Sequence, residues 1–140
     1  MISRTKARAA AMKLLYEWDM GGDGGDDTLG GILEVGPHEE EYGYINGTVE
    51  GVKRESAAID ERIERFSEGW KLDRLMRVDL AILRLATYEL IFDKQLSSGI
   101  VINSAIELAR DYSTDKAGSF INGVLGNIHR EEAAREQSGD

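Results

Sequence analysis

The chain of 140 residues contains no cysteine, one proline and two histidines. Without cysteine it has no disulfide, no thiolate zinc site and no thiol nucleophile. It also lacks an apolar stretch of about 18 residues, so it has no candidate transmembrane helix, and no run after its first cations is apolar enough for a signal peptide. We therefore expect a cytoplasmic protein that folds as one compact domain.

Signatures of catalysis and of metal binding are absent as well. His38 and His129 are far apart, and neither has a second ligand at metal-binding spacing. The sequence contains no phosphate-binding loop, dinucleotide fingerprint or nucleophile elbow. Its Gly/Asp-rich stretch 21–31 resembles a single calcium-binding repeat, and such repeats bind only when they are stacked. The sequence thus predicts a protein without catalytic residues, cofactor or metal.

Cations are scarce, and those at the start of the chain are segregated from the acids. The chain has 17 Lys and Arg against 26 Asp and Glu, which gives a net charge of −9. Its first thirteen residues nevertheless carry four cations and no acid: Arg4, Lys6, Arg8 and Lys13. The helix dipole disfavours cations in a first turn, so helix stability does not explain them. They form either a solvated basic arm or a site for an anionic partner.

Apolar spacing is helical along nearly the whole chain, and no alternating strand pattern occurs. Ser3 is a candidate N-cap for a first helix that ends near Met20. The acidic, glycine-rich stretch 21–31 follows as a loop, with a short helix predicted near Thr28. Pro37 suits the first turn of the next helix.

Further helical patterns cover residues 38–58 and 59–66. Asp73 is predicted to cap a helix over residues 74–92, which is apolar on most sides and should therefore be the most buried element.

Ser97, Ser98 and Gly99 are predicted to break the chain before a helix that ends at Tyr112. Thr114 is then predicted to cap a last helix that reaches about Arg130. The sequence therefore predicts an all-α protein of about seven helices.

An internal repeat supports this organisation. Residues 44–58 align with residues 120–134 at an offset of 76 positions, and seven of the fifteen aligned residues are identical. Both copies contain Asn-Gly within a helical pattern, so we expect Gly47 and Gly123 to let a neighbouring backbone approach closely. The offset predicts two similar helical bundles; chance similarity between amphipathic helices is the alternative.

Three segments together carry a family signature: LLYEW (14–18), AILRLATYEL (81–90) and VINSAIELARDYSTDKAGSFINGVLGNI (101–128). They resemble the NusB family of bacterial transcription antitermination factors. The resemblance implies two packed helical bundles, which we place at residues 1–69 and 70–140 of one compact domain. It also implies a non-catalytic adaptor that binds boxA RNA of ribosomal RNA transcripts together with the ribosomal protein NusE, in an antitermination complex with RNA polymerase.

The same resemblance implies site residues, which we carry over position by position. The RNA-binding set is Arg4, Lys6, Arg8, Lys13, Arg84, Lys116, Ser119 and Phe120, and the partner-facing set is Tyr16, Asp79 and Glu89. Phe120 would stack on a base or, alternatively, anchor the core. Arg84 would contact RNA or, alternatively, form an internal pair with Asp79 or Glu89. Tyr16 would face the partner or, alternatively, pack internally.

Two other functions stay open from the sequence. One is a non-catalytic domain like the NusB-like part of certain ribosomal RNA methyltransferases, although the chain ends at Asp140 without a methyl-donor site. The other is a structural interaction module or homodimer, in which the basic start is merely solvated.

Overall fold

The computed structural model describes residues 2–25, 35–36 and 39–138. Within these ranges the chain forms six α-helices and one 3-10 turn, and it has no strand. The helices are α1 (Arg4–Asp19), α2 (Tyr42–Arg54), α3 (Ser56–Arg65), α4 (Arg77–Phe92), α5 (Ser98–Tyr112) and α6 (Ala117–Gln137), and the 3-10 turn is Leu72–Arg74. The all-α prediction is confirmed. The predictions at Thr28, Pro37 and His38 lie outside the described residues.

Helix α1 begins and ends where the sequence predicts. The Ser3 hydroxyl caps it by accepting a hydrogen bond from the Lys6 amide at 3.1 Å, and the last helical residue is Asp19. The inward face of α1 carries several alanines, and because their side chains are small, α1 packs closely against α2 and α4. Its fully buried side chains are Ala7, Ala11, Leu14 and Leu15.

Helix α4 is the centre of the fold. It contacts each of the five other helices, and eleven of its sixteen residues are buried. Its apolar residues point to several sides because the helix has neighbours on several sides, as the sequence predicts. In the described ranges, no helix is both long and apolar enough to span a bilayer.

Helix α4 starts later than predicted. Asp73 lies within the 3-10 turn instead of capping the helix, and the first helical residue is Arg77. Leu75 and Met76 have extended backbone in between. This extended step lets the Leu75 side chain reach the core, where it is buried. Tertiary burial of one leucine thus overrides the local capping signal.

Helix α5 starts earlier than predicted. The Ser97 hydroxyl accepts a hydrogen bond from the Ile100 amide at 3.2 Å, so Ser97 is the N-cap. Ser98 and Gly99 therefore lie in the first helical turn and do not break the chain.

Helix α6 also differs from its prediction at both ends. Thr114 is not the side-chain cap: its carbonyl accepts the Ala117 amide at 3.1 Å, and the helix begins at Ala117. The helix continues to Gln137, well beyond the predicted end at Arg130.

Ion pairs explain the extra length of α6. Arg62 of α3 binds Glu131 and Glu132, each at 3.0 Å, and Lys94 binds Glu132 at 3.0 Å. Arg62 is buried, and Lys94 precedes α5 in sequence. The acids after Arg130 are therefore anchored to the body of the protein, which keeps the last turns helical.

The repeat lies in helices, but its glycines do not serve close packing. Gly47 in α2 and Gly123 in α6 both face open space, so the expected close backbone approach is wrong. The glycine that packs tightly is Gly51, because a Cβ added there would lie 2.4 Å from the Tyr88 ring. Since α4 contacts helices from both halves of the chain, the boundary between 1–69 and 70–140 stays a prediction.

These glycines allow a matched stability test. Gly51→Ala should lower the free energy of unfolding by about 1–3 kcal/mol, because the new methyl group displaces the Tyr88 ring. Gly47→Ala, in the same helix, should raise it by about 0.5–1 kcal/mol, because alanine has less conformational freedom to lose. Urea unfolding followed by circular dichroism measures both, and equal effects would contradict the packing described for Gly51.

Candidate functional site

The outward face of α1 presents two lysines and a tyrosine. Lys6 and Lys13 are two helical turns apart, and Tyr16 follows one turn later on the same side. All three side chains are exposed. Neither ammonium group forms an ion pair with any residue in the described part of the chain. The Lys13 ammonium instead lies 4.9 Å from the centre of the Tyr112 ring, at the end of α5.

A cavity of about 170 Å³ opens between α1 and the end of α5. Within the part of the chain that the structure describes, its walls combine apolar side chains with the two lysines and one aromatic ring, and no acid lines it. The lining consists of Ile2, Lys6, Ala9, Ala10, Lys13, Val35 and Tyr112. We call it the α1 cavity.

A second cavity, of about 220 Å³, lies where the 3-10 turn, the start of α4 and the start of α6 meet. We call it the α6 cavity. It is lined by Trp70, Arg74, Leu75, Met76, Asp79, Thr114, Lys116, Ala117 and Phe120. The turn from Tyr112 to Lys116 joins the two cavities along the chain, and the Ser113 hydroxyl fixes this turn by donating a hydrogen bond to Asp79 at 2.5 Å.

Three predicted RNA-binding residues lie at or beside the α6 cavity. Phe120 is partly buried. Its ring packs against the core, as a core anchor would, and it also lines the cavity, where a stacked base could reach it. Lys116 lines the cavity and is exposed, and Ser119 is exposed one residue before Phe120.

The structure adds residues that sequence reasoning missed. Trp70 and Met76 are more than half exposed beside the α6 cavity, and Arg74 lies between them in sequence. Tyr112 is 42% exposed in the α1 cavity. Trp70, Met76 and Tyr112 share a sequence signal: each is a large apolar or aromatic residue next to a turn, outside the apolar stripe of a helix.

Arg4 is exposed but has a partner. Its Nε donates to the Glu41 carboxylate at 2.6 Å, and its guanidinium lies 4.1 Å from the centre of the Tyr44 ring. Arg4 therefore reaches the surface already neutralised by one acid.

Arg8 is in the interior, contrary to the expectation that it belongs to an exposed basic patch. It is 6% exposed, its Nε lies 3.6 Å from the Glu89 carboxylate, and its Nη1 donates to the Ser104 hydroxyl at 3.3 Å. Tyr44 donates a hydrogen bond to the same carboxylate at 2.8 Å. Burial raises the pKa of Glu89 despite the attraction of Arg8. Burial and the Glu89 carboxylate together raise the pKa of Tyr44.

Arg84 is interior as well, and its partners are neither Asp79 nor Glu89. Its Nε and Nη2 bind both oxygens of Asp60 at 2.9 Å, and its Nη1 binds Asp19 at 3.0 Å. Burial by itself would lower the pKa of Arg84, but the bonds to Asp60 and Asp19 outweigh it and raise the pKa. This fork ties α4 to α1 and α3.

The three predicted partner-facing residues are not grouped. Tyr16 is exposed on α1, and Asp79 lines the α6 cavity while it holds the turn that follows α5. Glu89 is buried in the Arg8 network. In the described ranges, no group of three His, Asp or Glu side chains could hold a metal ion.

Residues 5–130 match the sequence model of the NusB family. The chain belongs to the NusB family. It is 42% identical over 128 residues to the transcription antitermination protein NusB of Acetivibrio thermocellus, in an alignment that covers 91% of this chain and 88% of that protein. Membership in this family of regulatory proteins confirms the prediction that the chain is not an enzyme.

Solved structures confirm the NusB-like fold. A structure of NusB from T. maritima matches with a TM-score of 0.81 and 34% identity, over 99% of both chains. A chain in the crystal structure of antitermination factors NusB and NusE in complex with double-stranded RNA matches with a TM-score of 0.80 and 32% identity, over 91% of this chain and 96% of that chain.

The interior position of Arg84 predicts a stability role. Arg84→Met should lower the free energy of unfolding by about 3 kcal/mol, the low end for a broken buried pair, because Asp60 loses its counterion while Asp19 keeps Arg77 at 3.1 Å. Arg54→Met is the control: its pair with Glu55 is exposed, and its loss should cost less than about 1 kcal/mol. Urea unfolding provides both values, and a loss at Arg84 no larger than that at Arg54 would contradict the assignment.

Proposed function

We propose that this protein is a transcription antitermination factor that binds boxA RNA jointly with NusE and carries both to RNA polymerase in the cytoplasm. The observation that carries the proposal is a local group of cations on an otherwise acidic protein. On a chain of net charge −9, three exposed lysines, Lys6, Lys13 and Lys116, line two cavities that also contain exposed aromatic rings. The names of the relatives support the same function.

The chemistry of these cavities favours single-stranded RNA. Lysines neutralise phosphates, and aromatic rings stack on bases that are not already stacked in a duplex. Tyr112 and Phe120 supply such rings on either side of the turn that joins the cavities. The related complex contains double-stranded RNA, so a direct comparison of the two RNA forms is part of the test.

A protein partner fits the apolar rim of the α6 cavity. Trp70 and Met76 are 55% and 53% exposed, and large exposed apolar side chains close together indicate a protein contact. With NusE on this rim, RNA in both cavities would touch the partner, which is what an adaptor requires. A homodimer through the same rim is the second candidate, and light scattering on the free protein distinguishes the two.

Charge removal on this surface should weaken RNA binding specifically. If Arg4, Lys6, Lys13 and Lys116 contact phosphates, the log–log salt slope for single-stranded boxA RNA should be about −3. Lys6→Gln with Lys13→Gln should bring the slope closer to zero by about 1.4. Fluorescence anisotropy, with and without NusE, measures this.

The matched control removes two exposed cations elsewhere, Arg54→Gln with Arg130→Gln. We expect it to leave the slope nearly unchanged. Equal losses in the two double variants, salt-independent binding, or no binding even with NusE would refute the proposal.

The pair between Arg4 and Glu41 gives a second test. Glu41→Gln should strengthen RNA binding by up to about fivefold, because an exposed ion pair of at most about 1 kcal/mol no longer competes with phosphate for Arg4. In an Arg4→Gln background the same substitution should have no such effect. A gain that persists without Arg4 would show a general charge effect and no role for this arginine.

A further inference from the structure

We propose that the α1 cavity is a subsite for one unpaired base of the bound RNA, with Tyr112 as its stacking surface and with Lys6 and Lys13 as its phosphate contacts. The inference rests on the proposed RNA-binding function and deepens it, because it assigns a role to a residue outside the basic start of the chain.

The size and floor of the cavity suit a flat ring. Its volume is about 170 Å³, and an apolar cavity of roughly 150 Å³ is known to hold benzene. Ala9 and Ala10 form part of the lining, and their small side chains leave space over this stretch of α1 that a larger residue would fill. Ile2 and Val35 add further apolar wall.

The positive charge of the lining favours a ring that belongs to a nucleotide over a purely apolar ligand. Among the described residues, two lysines and no acid border the cavity, although acids outnumber cations in the chain as a whole. A purely apolar ligand would gain nothing from these ammonium groups. A nucleotide offers both required parts, since its base fills the apolar space and its phosphate meets a lysine.

Tyr112 is positioned to stack. It is the last residue of α5 and is 42% exposed, so its ring is accessible from solvent. The Lys13 ammonium lies over this ring, 4.9 Å from its centre, in a cation–π contact between the two helices. A base on this ring therefore has a cation within reach of its own phosphate. Bases of a duplex are already stacked, so the subsite accepts only single strands.

The decisive experiment compares Tyr112→Ala with Phe92→Ala on single-stranded boxA RNA and on the matching duplex, in the presence of NusE. Removal of one stacking ring should weaken single-strand binding by roughly 5- to 150-fold. Duplex binding should stay unchanged. Phe92 is the matched control, because it is 43% exposed on a different groove and should not affect RNA binding. Tyr112→Phe keeps the ring and should stay within about twofold of the parent.

A fluorescent base distinguishes direct stacking on Tyr112 from an indirect effect of the Tyr112→Ala substitution on the protein structure. With 2-aminopurine placed at each boxA position in turn, one position should be quenched on binding to the parent protein, and Tyr112→Ala should restore that signal. If Tyr112→Ala binds single strands like the parent, or weakens duplex binding equally, the subsite is refuted while the proposed function stands. If the parent itself binds no RNA with NusE present, both fail.

Discussion

The packing of α4 against every other helix is the constraint on which the rest of the structure depends. This central helix carries three buried charged residues, Asp79, Arg84 and Glu89, and a buried charge is tolerated only where it finds a partner. Arg84, which also binds Asp60 of α3, and Glu89 each have one partner on α1: Asp19 pairs with Arg84, and Arg8 lies against Glu89. The two partners are eleven residues apart, which is three helical turns, so they share one face of α1.

This double attachment fixes the rotation of α1. Arg8 and Asp19 point inward. Lys6 lies two residues from Arg8, about half a helical turn, so it points outward, and Lys13 lies two full turns after Lys6 and points the same way. The interior ion pairs of Arg8 and Arg84 therefore also determine which cations lie on the surface. They take Arg8 and Arg84 out of the cationic surface and leave a smaller set of lysines beside two aromatic cavities. The exposed cationic charge that remains is sparse, which is consistent with the proposal that RNA is bound jointly with a protein partner.

Periodic apolar spacing was enough to predict α1, the burial of α4 and the all-α class, because each rests on a regular pattern within one segment. Helix boundaries were harder. Burial of Leu75 delays the start of α4, and ion pairs from Arg62 and Lys94 prolong α6. Both effects depend on contacts between residues that are far apart in the sequence, so no local capping signal reports them.

The sequence by itself determined the helical class, the family and the presence of cations at the start of the chain, since composition, periodicity and motif order are properties of the chain alone. Only the tertiary structure decided which of those cations are free. A buried carboxylate on α4 captures Arg8, and Glu41 occupies Arg4, while Lys6 and Lys13 stay without acids in the part of the chain that the structure describes. The position of Tyr112 beside Lys13 was likewise invisible in the sequence. The residues are 99 positions apart, and only the packing of the helices brings that ring and that cation together.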